Sequence, residues 1–98
     1  MWDLTNFQRD LLYIIRSCED PCGLEIKAEL DAYYSEDINH ARLYPNLETL
    51  IDLGLVAKAQ SDGRTNVYSL TDRGIEAIRA RRQWERSVLD TSPLTTSS

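Results

Sequence analysis

Ninety-eight residues, 42% of them hydrophobic and 28% charged, suffice for one core and argue against a disordered chain, so a single domain is expected. No run approaches the roughly 18 apolar residues of a membrane helix, and Met1-Trp2-Asp3 opens neither a basic segment nor an apolar signal core, so a cytoplasmic protein is expected. The net charge of -5 argues against a uniformly basic nucleic-acid binder, but residues 1–37 hold nine of the sixteen acids and three of the eleven bases, leaving seven acids and eight bases for residues 38–98.

Thr5 with Gln8 has the form of a capping box, and Phe7, Leu11, Leu12, Ile14 and Ile15 recur as in a largely buried helix, predicted from Asn6 to Ser17. Glu19-Asp20-Pro21-Cys22-Gly23 breaks that pattern, after which Leu24, Ile26, Ala28, Leu30 and Tyr33 fit a second helix ending near Tyr34. Beyond a polar turn over 35–38, Asn39 is suited to cap a third helix running to Leu53, with Gly54 as its stop. Leu55 to Gln60 and Asn66 to Leu70 read as strands, and the Asp62-Gly63 pair between them is a strong hairpin signal. Thr71 then caps a fourth helix from Asp72 to about Leu89, with Asp72 placed to suit the helix dipole. Residues 91–98 are polar and aperiodic, a disordered tail behind one unit spanning residues 1–90.

Cys18 and Cys22 flank the first break, and with His40 as the single histidine they cannot complete a four-ligand zinc site, so no metal is expected. The pair reads more readily as small buried hydrophobes than as a redox-sensing disulfide, the sharper alternative. Catalysis has little to draw on, with no glycine-rich phosphate loop and no nucleophile elbow, so neither an enzyme nor a cofactor is expected. Glu36-Asp37 falls in an exposed turn, where solvated charge is the better explanation than acid-base chemistry.

Turning the third helix by about 100° per residue puts Leu43, Leu47, Leu50 and Ile51 on one face and Ala41, Arg42, Pro45 and Thr49 on the other. The first face is core; the second is small and polar enough for a DNA groove. There Arg42 would donate to guanine, Asn46 would pair with adenine, and Ala41 or Pro45 would touch a thymine methyl. Asn39 and His40 stand at the same helix start, while Glu48 and Asp52 would have to point away from phosphates, or the helix must enter the groove N-terminus first. A merely solvated helix side is the plain alternative.

Leu43-Tyr44-Pro45-Asn46-Leu47, Leu50, Gly54-Leu55-Val56, Tyr68-Ser69-Leu70-Thr71 and Gly74 together resemble the PadR family of regulators, and Gly23-Leu24-Glu25-Ile26 matches a further family stretch except that Leu24 replaces its usual tyrosine. The resemblance covers roughly residues 7 to 80 with its order intact. It implies a mainly α fold with a small β-hairpin (α+β), a winged helix-turn-helix that dimerises through its C-terminal helix, in the compact subgroup without a separate dimerisation domain. An acid-rich surface with only two lysines resembles proteins of salt-loving archaea, whose compact PadR-like members include a regulator of the response to reactive oxygen species. The third helix is then the recognition helix, and Arg64 in the wing meets backbone or minor groove, supported by Lys58, Thr65 and Asn66. Tyr44 either donates to a phosphate or packs half-buried beside the leucines.

In the fourth helix Ile75 and Ile78 are expected to cover the wing side, while Ala77, Trp84 and Val88 recur at spacings that suit a seam with a second subunit, joined by Trp2 and Leu4. Arg79, Arg81, Arg82 and Arg86 are either a second phosphate-facing patch or, more simply, a solvated face with intrahelical acid pairs. The expected partners are double-stranded DNA bearing a palindromic operator, a second copy of the chain, and salt ions at the DNA interface. An adaptor that uses a winged helix to bind another protein is the rival reading.

Overall fold

The computed structural model describes residues 4–61, 63 and 65–91. The elements follow in the order α1 (Asn6–Ser17), α2 (Gly23–Tyr34), α3 (His40–Asp52), β1 (Val56–Ser61), β2 (Thr65–Leu70) and α4 (Asp72–Thr91). The Thr5 hydroxyl accepts from Gln8 N–H while the Gln8 amide oxygen accepts from Thr5 N–H, each at 3.1 Å, so α1 begins with the reciprocal cap its sequence predicts. Phe7, Leu11, Leu12 and Ile15 turn inward along it, and α1 becomes the central post against which α2, α3, α4 and β2 all pack.

After α1 the chain turns through Asp20, whose φ is 42°, and the buried Pro21 into α2. Ile26 and Leu30 supply the narrow stripe that α2 buries. At the far end, Asp31 accepts from Ile38 N–H at 2.7 Å, and Lys27 reaches both Asp31 and Asp37, fastening the turn into α3. The Asn39 side chain caps α3 by accepting from Ala41 N–H, and Leu43, Leu47 and Leu50 seat the helix on the core. Gly54 ends the segment at φ 79°, a conformation that favours glycine.

The hairpin is antiparallel and in register from Val56↔Leu70 to Ser61↔Thr65. Val56 and Tyr68 are its buried positions, so the sheet is anchored at its base and open toward its tip. β2 is also hooked to the α1–α2 junction, through Tyr68 N–H to the Pro21 carbonyl at 2.9 Å and a bridge between Cys22 and Val67. Thr71 then donates its hydroxyl to the Gly54 carbonyl at 2.6 Å and accepts from Gly74 N–H at 3.1 Å, joining the end of α3 to the start of α4. The first turn of α4 lies so close to the hairpin that a Cβ on Gly74 would come within 2.2 Å of the Leu55 carbonyl oxygen.

Each strand lies one residue from the predicted bounds, Ser61 and Thr65 being paired rather than part of the turn. α4 runs on to Thr91, so the predicted start of the tail at 91 is helical; residues 92–98 lie outside the described residues. The α4 start packs through Gly74 and Ala77, whereas every side chain from Arg82 to Asp90 is exposed. No helix among the described residues is long and apolar enough to cross a membrane.

Candidate nucleic-acid interface

α3 presents three sides. Its inner side is the leucine row already described. Along one flank it faces α1 and the end of α2: the Arg42 guanidinium lies 4.2 Å from the centre of the Phe7 ring, 5.9 Å from that of Tyr34, and 3.7 Å from the Glu36 carboxylate. One helical turn on, Asn46 is half-buried; its oxygen accepts from the Gln8 side-chain amide at 3.0 Å, and its own amide donates to the Arg42 carbonyl at 2.7 Å. Gln8 thus caps α1 and holds α3 with the two ends of one side chain.

The other flank faces the start of α2 and the hairpin. Tyr44 is half-buried, with its hydroxyl against the Gly23 backbone so closely that a Cβ there would clash at 2.3 Å. The His40 ring stands 5.5 Å from the Tyr44 ring, and Lys58 of β1 pairs with Glu48 at 3.2 Å. The outer side carries Ala41, Pro45, Glu48, Thr49 and Asp52, all exposed. The Thr49 hydroxyl is turned back along the helix to donate to the Pro45 carbonyl at 3.0 Å.

Of the residues the sequence nominated, Ala41, Pro45 and Thr49 therefore line the outer side of α3, with Arg42 and Asn46 on one flank of it and Tyr44 and Lys58 on the other. Asn39 is occupied as the helix cap. Thr65 and Asn66 are exposed at the hairpin tip, while Arg64 lies outside the described residues. The expectation that Arg42 and Asn46 are free to reach bases meets a specific obstacle, since both are engaged with α1 or α2. Those partners, Phe7, Gln8, Tyr34 and Glu36, had no place in the sequence-based site. Phe7 and Gln8 lie more than thirty residues before the side chains they meet, and although the sequence marked Phe7 as core, Gln8 as a cap and Glu36 as solvated charge, none of these readings pointed to α3.

Tyr34 also links this flank to the α1 helix by donating to the Asp10 carboxylate. Burial, followed by that hydrogen bond, pushes the Tyr34 hydroxyl up to about 12, so it stays a donor throughout the physiological range. Burial likewise raises Tyr68 at the foot of the hairpin, with Lys58 opposing the shift.

The predicted subunit seam needs correction at its start. Ala77 is 7% exposed and belongs to the core of the chain itself, and Leu4 is half-buried against that same core rather than exposed. The spacing of seven that linked Ala77 to Trp84 crosses the point where α4 leaves the body. Trp84 and Val88 are 47% and 45% exposed, joined by Leu89 at 69%, and Trp2 lies outside the described residues. Arg81 pairs with Glu85 one turn on and lies over the Trp84 ring, consistent with an intrahelical acid pair. Cys18 and Cys22 are free thiols and half-buried, not the fully buried hydrophobes expected. Each stands at a helix end, outside the stripe that faces the core.

Residues 11–80 match the transcriptional regulator PadR-like family. No curated protein sequence matches. Among solved structures, RosR of Halobacterium salinarum is 43% identical over 93% of this chain and 80% of its own, with a TM-score of 0.80. A complex structure of RosR-S1 is 47% identical over 87% of this chain and 75% of its own, at 0.82. FabT of Streptococcus pneumoniae, solved in complex with DNA, is 16% identical over 90% of this chain and 59% of its own at 0.72, a likeness of fold alone.

Proposed function

The chain belongs to the PadR-like family of transcriptional regulators, and from that premise we propose that it binds double-stranded DNA as a homodimer, each subunit laying α3 into a major groove of a palindromic operator. The two grooves would lie about 34 Å apart along the duplex. The observation that carries this reading is the uncovered outer side of α3, held by a packed inner row with a hairpin standing beside it. A helix so placed can enter a groove start-first, with Ala41 and Pro45 leading and the acids Glu48 and Asp52 following.

The hairpin serves as the wing. Thr65 and Asn66 at its tip, together with Arg64 from the turn sequence, meet backbone or minor groove, and Lys58 supports them from β1 while it stays paired with Glu48. The exposed far half of α4 supplies the seam: a short helical stretch standing clear of its domain is marginal in water, and Trp84, Val88 and Leu89 give a second copy something to bury. DNA-binding and dimerisation surfaces then share one unit. The likeness to the Halobacterium RosR supports reading the chain as a regulator of a salt-adapted cell, one that would act in the cytoplasm and in an oxidative-stress response.

Sequence selection from a random duplex pool, with the purified protein in potassium chloride at low and at molar concentration, tests this. A palindrome should be enriched, with a salt slope shallower than about -0.9 per contacted phosphate because cations are retained beside the acidic face. A folded protein that enriches no sequence at either concentration would overturn the proposal in favour of a protein-binding adaptor.

A further inference from the structure

Resting on that reading and refining it, we propose that α3 discriminates its operator through thymine methyl groups met by Ala41, Pro45 and Thr49, and not by hydrogen bonds from Asn46 or Arg42. Positions 41, 45 and 49 recur every four residues, so they form one line along the outer side of the helix, and all three are exposed. None offers a free hydrogen-bond donor to a base. Ala41 and Pro45 have hydrocarbon side chains, and the Thr49 hydroxyl proton is committed to the Pro45 carbonyl at 3.0 Å, which leaves its methyl beside an oxygen that can only accept.

The polar candidates beside this line are committed elsewhere. Asn46 uses both ends of its amide, toward Gln8 and toward the Arg42 carbonyl, and drawing it outward would leave Gln8 without that partner in a part-buried contact. Arg42 rests on Phe7 with Glu36 beside it. The Glu48 carboxylate, which would otherwise suit a cytosine amine, is held by Lys58. Asn46 is thus a positioning residue, setting how α3 lies on α1, and the helix meets the groove as a ridge of small apolar groups. In the major groove the apolar feature that differs between base pairs is the thymine 5-methyl.

The test uses the duplex enriched from the random pool and the same duplex with deoxyuridine replacing thymidine, which removes the methyl and keeps the pairing. Each half-site should contain thymines beneath α3, and affinity should fall about four-fold for each methyl removed, the gain expected from burying one such group. Thr49→Ser, which keeps the hydroxyl contact and deletes a methyl, should shrink the penalty at one thymine of each half-site. Asn46→Ala, which releases α3 from Gln8, should weaken binding to all duplexes alike while the order of preference at each base position stays that of the wild type.

An enriched palindrome that binds equally with uracil would leave the regulator reading intact and remove this one. So would a changed consensus for Asn46→Ala. If no duplex is enriched at all, both fail together.

Discussion

α3 and the far half of α4 both face solvent, yet they are finished to different degrees. α3 is fastened on each flank, Asn46 to Gln8 and Arg42 against Phe7 on one side, Tyr44 against Gly23 and Glu48 to Lys58 on the other. From Arg82 to Asp90, α4 exposes every side chain, a tryptophan among them. A surface that meets a ready-made duplex gains by being ordered beforehand, because less freedom is lost on binding. A surface completed by its own copy can wait for assembly, and its stability then depends on concentration.

The contrast is easiest to break at the α3 core. Leu47→Ala empties a fully buried site and should cost about 2–5 kcal/mol, read as a lower urea midpoint with an unchanged slope. A loss under about 1 kcal/mol would mean that α3 is not held as described. Val88→Asp, by contrast, should weaken self-association at least about a hundred-fold, roughly 2.7 kcal/mol, in sedimentation equilibrium. The isolated subunit should change by no more than about 0.5 kcal/mol. A dimer that survives this charge would place the seam elsewhere.

The smallest effect sharpens the account of the α1 flank. Tyr34, raised by burial and then by its bond to Asp10 to about 12, is neutral in the folded state where the unfolded side chain has begun to ionise. Its contribution is fully present below about pH 10 and is lost as pH rises toward 12, because the unfolded chain releases this proton first. Unfolding by urea across that window should show wild-type stability falling more steeply than that of Tyr34→Phe. Equal slopes would mean that Tyr34 does not couple titration to the fold.

Much of the architecture was legible in the sequence, for reasons that are local. Thr5, Asn39 and Thr71 are capping residues acting within a few positions, and the leucines of α3 face inward because the helical repeat brings them to one side. The base-reading roles proposed for Arg42 and Asn46 were less legible, because the groups that engage them, Phe7 and Gln8, lie on another helix more than thirty residues earlier. Periodicity tells which side of a helix is polar, and it is silent on what stands opposite a flank. Ala77 illustrates the same limit: its spacing from Trp84 suits a seam, but where a helix departs from its domain is decided by tertiary packing.

The first turn of α4 is seated through Gly74, pressed against the Leu55 carbonyl where no side chain fits. α4, with 20 residues, extends about 30 Å, so a tilt of roughly 10° at this pivot would displace its tip by about 5 Å, more than the rise of one base pair. If two copies join through α4, the spacing of their recognition helices would thus be calibrated at a hydrogen atom. Even an alanine at this position would have to lift α4 off the Leu55 carbonyl, with every base-contacting side chain left as it was.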